Sequence, residues 1–276
     1  MPLKWDAHTH TNFCKHGSDS GMRLYVEEAI KQGFQRYSIT EHPPLPEGWI
    51  FNRQLFKELA MESFELPHYL RQAYETKERF EGRIEVAVGL ELDYLDGAPD
   101  FMLGVIDSCE RTLEDVVVSV HFLPGVGGIR CIDYTIQDFR EGLLGHYVTL
   151  AAVVDEYYNH VEAAIEFAKQ LPMRKRIGHI NLIEKFRLEL PEFDEDQIRK
   201  RLSAILPQLE KAGVGIDVNT AGFRKATCGK TYVPEWFLQQ CVRRGIEVVY
   251  GSDAHSSRDV GAGWDWYEQA MLQAAK

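Results

Sequence analysis

The chain has 276 residues, 45% hydrophobic and 26% charged, enough for one sizeable core or two small domains. Its 42 Asp and Glu against 31 Lys and Arg leave a formal charge of −11, which repels polyanions and argues against a general nucleic-acid or anionic-membrane surface. No apolar stretch reaches membrane-span length, and five cysteines without a C-x-x-C pair fit a reducing cytoplasm better than a disulfide framework.

In chain order, residues 3–8 read as a strand, followed by a helix that Asp19-Ser20 caps and Gly33 stops. A second strand spans 36–40. Residues 53–81 read as a long, charged helical stretch broken near Pro67, within an insertion over about 43–81 whose action as a lid stays open. Strands at 84–91 and 115–121 follow, the latter carrying the β-branched run Val116-Val117-Val118. A helix over 155–170 sets Tyr158, Val161, Ile165 and Ala168 at helical spacing ahead of a strand at 175–179. A helix over 194–212 places Ile198, Leu202, Ile205 and Leu209 on one face, should kink at Pro207 and stops at Gly213. Strands at 214–219 and 246–251 complete the series. Seven strand–helix repeats without a linker predict one α/β domain over 1–276 with a parallel sheet, as a closed barrel or an open doubly wound sheet.

The residues ending these strands carry the chemistry. The first strand runs into His8-Thr9-His10, the second into Glu41-His42, the third ends at Glu91, the fourth at His121 and the fifth at His179. The sixth ends at Asn219 and the seventh runs to Asp253 and His255. In parallel α/β folds the strand C-termini share one rim where sites concentrate. Of ten histidines, seven (His16 included) lie at or beyond these ends, whereas His68, His146 and His160 sit in helical segments and take no role. Imidazole and carboxylate are ligands for Zn²⁺, Mn²⁺ or Fe²⁺, and nine such groups exceed the needs of one tetrahedral ion. His8 and His10, two apart in extended chain, point the same way.

These residues resemble the polymerase and histidinol phosphatase (PHP) superfamily, whose series is H-x-H, a later His, a D/E-H pair, a Glu, two further His and a terminal D-x-H. Here those are His8-Thr9-His10, His16, Glu41-His42, Glu91, His121, His179 and Asp253-Ala254-His255. The strings His8 to Gly17, Thr40 to Pro46 and Asn219 to Lys225 are most similar to the monofunctional histidinol-phosphate phosphatases. The resemblance implies a distorted (β/α)7 barrel with three divalent ions (Zn, Mn or Fe) at the C-terminal rim. Carried over by position, it implies His8, His10, Glu91 and Asp253 for one ion, Glu91, His121 and His179 for a second, and His16, His42 and His255 for a third.

A phosphate monoester resists hydrolysis, so charge neutralisation and a strong nucleophile are required, both of which clustered ions supply. The expected catalyst is a metal-bridging hydroxide held by Glu91 and Asp253, attacking in line without a covalent intermediate. Phosphate contacts are expected from Arg224 first, then Lys225, with Asn219, Lys185 and Arg258 as further rim residues; Arg187 and Lys230 read as surface charges. Asp6 is expected to orient a ligand imidazole, Asp93 or Glu47 to receive the substrate ammonium, and Phe13, Trp49 and Phe223 to wall the imidazole. Cys14 has no assigned base and reads as structural. The leading reading is hydrolysis of L-histidinol phosphate in histidine biosynthesis, with no nucleic-acid or membrane partner. A PHP phosphoesterase for another monoester or nucleotide, an amidohydrolase-type enzyme and a non-catalytic metal-binding PHP module are the alternatives; substrate panels and metal content separate them.

Overall fold

The computed structural model describes residues 3–109 and 113–276. Seven parallel strands follow one another round a sheet in the order β1 (Trp5–Asp6), β2 (Arg36–Glu41), β3 (Glu85–Asp93), β4 (Asp115–Ser119), β7 (Arg174–Ile177), β8 (Gly215–Asn219) and β9 (Val248–Gly251). The ends of the sheet meet: Ala7 N donates to Tyr250 O at 2.9 Å, Asp253 N to His8 O at 2.8 Å, and His10 N to Ala254 O at 2.9 Å. The sheet is thereby a nearly closed barrel, so the barrel alternative holds and the open doubly wound sheet is set aside. Strands buried on both faces need apolar side chains throughout, which is why Val116, Val117 and Val118 all lie in the interior.

Helices α1 (Met22–Lys31), α3 (Leu66–Arg79), α4 (Pro99–Ser108), α7 (Leu150–Lys169), α8 (Glu195–Ala212), α9 (Glu235–Arg243) and α10 (Trp264–Ala274) surround the sheet. Three expectations change in detail. Gly21, not Asp19-Ser20, sits at the start of α1, and no side chain caps it. Residues 53–81 are two helices rather than one broken helix: α2 (Arg53–Leu59) is inserted, and α3 is the crossover that joins β2 to β3. Pro67 does not break α3 but lies in its first turn, where its missing N–H costs nothing. Helix α8 runs on through Pro207, starting at Asp194, whose side chain accepts from Asp196 N and Gln197 N, and ending at left-handed Gly213.

A hairpin of β5 (Phe122–Gly125) and β6 (Gly128–Cys131) has no counterpart among the expected elements. The short helices α5 (Ile136–Asp138) and α6 (Gly145–Tyr147) flank a π-helical turn over 139–144 before α7. Gly127 and Gly128, at φ 78° and 125°, make the turn that brings the hairpin back over the rim.

Inside the barrel, below the rim, lies a polar layer. The fully buried Arg176 guanidinium pairs with Asp115 and donates to the carbonyl of Ala7. Ser38 Oγ donates to Asp115 Oδ2 at 2.6 Å, and Trp5 Nε1 donates to Ser38 Oγ at 2.9 Å.

Candidate metal centre

The C-terminal ends of the strands carry the histidines and carboxylates to one point. Glu91, 1% exposed at the end of β3, is its centre. Its Oε2 lies 3.1 Å from His8 Nε2, 3.3 Å from His10 Nε2 and 3.4 Å from His42 Nδ1. Its Oε1 lies 2.9 Å from His179 Nε2 and 3.6 Å from His121 Nε2. One carboxylate thus faces five imidazoles through two different oxygens. Asp253 Oδ1 stands 3.2 Å from His10 Nε2, His121 and His179 approach at 3.1 Å between Nε2 atoms, and so do His16 and His255.

These spacings fit metal ions. Two ligand atoms on a tetrahedral ion at zinc–nitrogen bond lengths stand about 3.3 Å apart, and the contacts above run from 2.9 to 3.6 Å. Two neutral imidazole nitrogens as close as His16 and His255 need something positive between them. His8 Nε2 and His10 Nε2 are buried without a hydrogen bond, which a cation would resolve. Among the described residues four groups hold ligand atoms within 4.8 Å of one another: His8, His10 and Glu91; Glu91, His121 and His179; His42, Asp93 and His121; and His10, Cys14, His42 and His255.

The far nitrogen of most rings is tied down, which fixes the tautomer and aims the other nitrogen inward. His8 Nδ1–H donates to Asp217 Oδ2 at 2.7 Å, His10 Nδ1–H to Glu41 Oε1 at 3.1 Å and His121 Nδ1–H to Asp93 Oδ1 at 2.6 Å. His16 Nδ1–H donates to the carbonyl of Glu58 at 2.9 Å, and His255 Nδ1–H to that of Asp253 at 3.1 Å. Asp217 Oδ2 also accepts from His179 N at 3.2 Å and Asn219 Nδ2 at 3.1 Å. The neighbouring strand passes this carboxylate only because position 251 is Gly; a Cβ there would overlap Asp217 and His8. His179 and Asp253 hold φ of 24° and 55°, the left-handed region that costs a side-chain-bearing residue about 1–3 kcal/mol.

The packed carboxylates and imidazoles shift one another strongly. Burial alone would lift the Glu91 carboxyl, but the imidazoles of His8, His42, His10 and His179 outweigh it and hold it well below the usual carboxylate range. Asp253 is held down in the same way, against burial, by His8 and His10. Burial, reinforced by His10 and His16, pushes His42 and His255 well below the ordinary imidazole value, into the neutral form that binds metal. Against burial, Asp93 lifts His121 to about 9, and the carboxylates around them lift His8 and His10 well above the ordinary imidazole value, so an ion binding these three rings displaces protons. Burial pushes the Cys14 thiol up to about 12, which removes it as a nucleophile at neutral pH.

The family model of the PHP domain matches residues 6–221. The chain belongs to the PHP domain family. A histidinol-phosphatase of Bacillus subtilis is 35% identical over 95% of this chain and 97% of its own. A candidate histidinol phosphatase of Listeria monocytogenes superposes with a TM-score of 0.91 at 33% identity, over 96% of this chain and 100% of that one. The histidinol phosphate phosphatase of Lactococcus lactis, solved with zinc, L-histidinol and phosphate, has a TM-score of 0.71 at 20% identity, over 97% and 94% of the chains, and shares the fold.

Over the PHP cluster opens a cavity of about 290 Å³. Its walls include some of the residues expected to contact substrate and not others. Lys185 and Lys225 line it, but Arg224, Arg258 and Asn219 do not. Arg224, the first choice for phosphate, donates to the carbonyls of Ser252 at 2.7 Å and Asp253 at 3.2 Å, so it braces the loop that carries Asp253. Asn219 is fully buried and donates to Asp253 Oδ2 at 3.2 Å, which orients that carboxylate. Arg258 is exposed, away from the cavity. Asp6 touches no ligand imidazole; its carboxylate accepts from Ser252 N at 2.9 Å and Gly261 N at 3.0 Å, pinning the same loop. Asp93 is spent on His121, and Glu47 is exposed outside the cavity. Phe13, Trp49 and Phe223 lie outside the wall too; Phe122, Tyr134 and Tyr232 are its aromatics.

Asp217, which no strand-end signal flagged, is expected to matter through charge. Asp217→Asn keeps an oxygen for His8 but loses the negative charge, and should lower metal affinity or turnover about 10- to 100-fold. Metal titration of the variant checks this; wild-type affinity and rate would show that His8 needs no such partner.

Proposed function

We infer that this chain hydrolyses L-histidinol phosphate to L-histidinol and inorganic phosphate in histidine biosynthesis, as a metal-dependent phosphomonoesterase. The observation that carries the reading is the match to a histidinol-phosphatase over 95% of this chain and 97% of the relative. The cluster around Glu91 supplies chemistry to fit it. Residues 1–276 act as one catalytic unit: the family match ends at 221, yet β9 supplies the last barrel strand and leads into Asp253 and His255.

His8, His10, Glu91 and Asp253 would hold one divalent ion, Glu91, His121 and His179 a second, and His16, His42 and His255 a third. Bound divalent ions lower the pKa of coordinated water and neutralise phosphoryl charge. The remaining work falls to the chain. Asp217, Glu41 and Asp93 hold imidazoles in the ligating tautomer. Lys225, which has no ion-pair partner among the described residues, and Lys185, held by Asp133, bring positive charge to the wall for the phosphate dianion. Leu55 and Leu59 of α2 close the cavity on one side and exclude water.

The net charge of −11 favours a small phosphomonoester over nucleic acid. No helix of the described residues is long and apolar enough to cross a membrane. All five cysteines are buried and form no disulfide, which suits a reducing cytoplasm.

The test strips the protein with a chelator and reloads it with Zn²⁺, Mn²⁺ or Fe²⁺ singly, following phosphate release from L-histidinol phosphate and from unrelated monoesters. Activity should vanish on stripping, return with metal and favour histidinol phosphate. Equal rates on all monoesters would remove the substrate assignment, and a metal-loaded but inert protein would remove the enzyme.

A further inference from the structure

Five acidic residues line the cavity, and the carboxylates of four are already occupied. Glu91 and Asp253 face the imidazoles of the cluster. Asp93 holds His121 at 2.6 Å. Asp133 receives Lys185 twice, Nζ donating to its backbone carbonyl at 2.6 Å and to Oδ2 at 2.9 Å. The fifth is Glu58 of the inserted helix α2. Its recorded side-chain partner is the neutral amide of Gln54, which donates to Oε1 at 2.6 Å, and no cation pairs with it among the described residues. It is half-buried.

Its place relative to the chemistry is fixed by its own backbone. The Glu58 carbonyl accepts from His16 Nδ1–H at 2.9 Å, so the residue sits one imidazole away from the cluster. Leu55 and Leu59, three residues before Glu58 and next to it on α2, line the same cavity wall. A second tie, Lys15 Nζ to Glu65 Oε1 at 2.7 Å, fastens the chain after α2 to the residue before His16. A helix held this way keeps the Glu58 backbone at a set distance from the cluster, with its side chain free of any ion pair among the described residues. Asp93 and Glu47, the residues singled out by sequence for a cationic ligand group, are engaged or remote; Glu58 alone among the cavity carboxylates is without a cation.

We propose that Glu58 is the specificity-determining residue that receives the substrate's ammonium group, selecting phosphomonoesters that carry a cation beside the phosphate-bearing carbon. The inference rests on the substrate reading above. A carboxylate–ammonium hydrogen bond in a partly desolvated wall discriminates by about 10- to 100-fold. Because the tie to His16 runs through the backbone, Glu58→Gln removes the charge and leaves that tie in place.

The experiment compares kcat/KM for L-histidinol phosphate and for its deamino counterpart, 3-(imidazol-4-yl)propyl phosphate, in metal-loaded wild type, E58Q, E58D and D133N, with metal content measured for each. The wild-type ratio should be high, should fall about 10- to 100-fold in E58Q, mainly through KM, and should recover partly in E58D. A ratio that E58Q retains, or one that collapses in D133N instead, overturns the proposal and leaves the phosphatase reading standing. A wild-type ratio near one overturns the substrate reading itself and this inference with it.

Discussion

Glu91→Gln is expected to abolish turnover, with kcat falling by at least about 10³-fold, and to strip the protein of most of its metal. The substitution preserves shape and one oxygen, so what it removes is charge and the ability to serve two partners at once. Removing a single neutral donor that stabilises transition-state charge costs about 10²–10³-fold in other enzymes. Glu91 faces His8, His10 and His42 through Oε2, and His121 and His179 through Oε1, so its loss acts on every group around it. A metal loses a ligand, and the imidazoles lose the carboxylate that offsets their proximity. Elemental analysis and phosphate release on the same preparation check both halves. A variant within tenfold of wild type and with full metal content would show that the cluster is held together from elsewhere.

Much of this site was legible in the sequence because barrel topology does the gathering. Residues at strand C-termini are drawn to one rim whatever their separation in the chain, so His8, Glu91, His179 and Asp253 could be placed together from strand periodicity alone. What stayed hidden depends on side-chain direction or on register. Asp217 lies inside β8, two residues before the strand end, and nothing in its surroundings marks it as the partner of His8. Arg224 and Lys225 are neighbours in one loop, and neighbouring side chains diverge; which of them turns inward is decided by the carbonyls of Ser252 and Asp253, which capture Arg224. The α2–α3 segment reads as one charged helix because proline suits a first turn as well as it breaks an interior, and sequence shows only that Pro67 is present. The β5–β6 hairpin did leave a signal, the glycines of Gly125-Val126-Gly127-Gly128 between apolar residues, but its strands are four residues each.

Arg176→Met is expected to lower stability by about 3–5 kcal/mol, the cost of leaving one partner of a buried ion pair uncompensated. Arg176 and Asp115 are both fully buried, and no solvent reaches Asp115 to replace the guanidinium. The hydroxyl of Ser38, 2.6 Å from Asp115 Oδ2, satisfies only part of the carboxylate. For a chain of this size the loss corresponds to a fall in Tm on the order of 10 °C. Thermal unfolding of the metal-free protein is the measurement to make, since bound metal adds its own stabilisation by mass action and would mask the change. The double variant Arg176→Met/Asp115→Leu separates two accounts of the pair. If the pair is needed only because each half would be stranded without the other, the double variant regains most of the lost stability. Its metal affinity should nevertheless fall, because Arg176 also donates to the Ala7 carbonyl, one residue before His8, at the seam where β1 meets β9. A single variant as stable as wild type would mean that the ion pair contributes nothing to stability, and the polar layer would then have no electrostatic part in holding the first histidines in place.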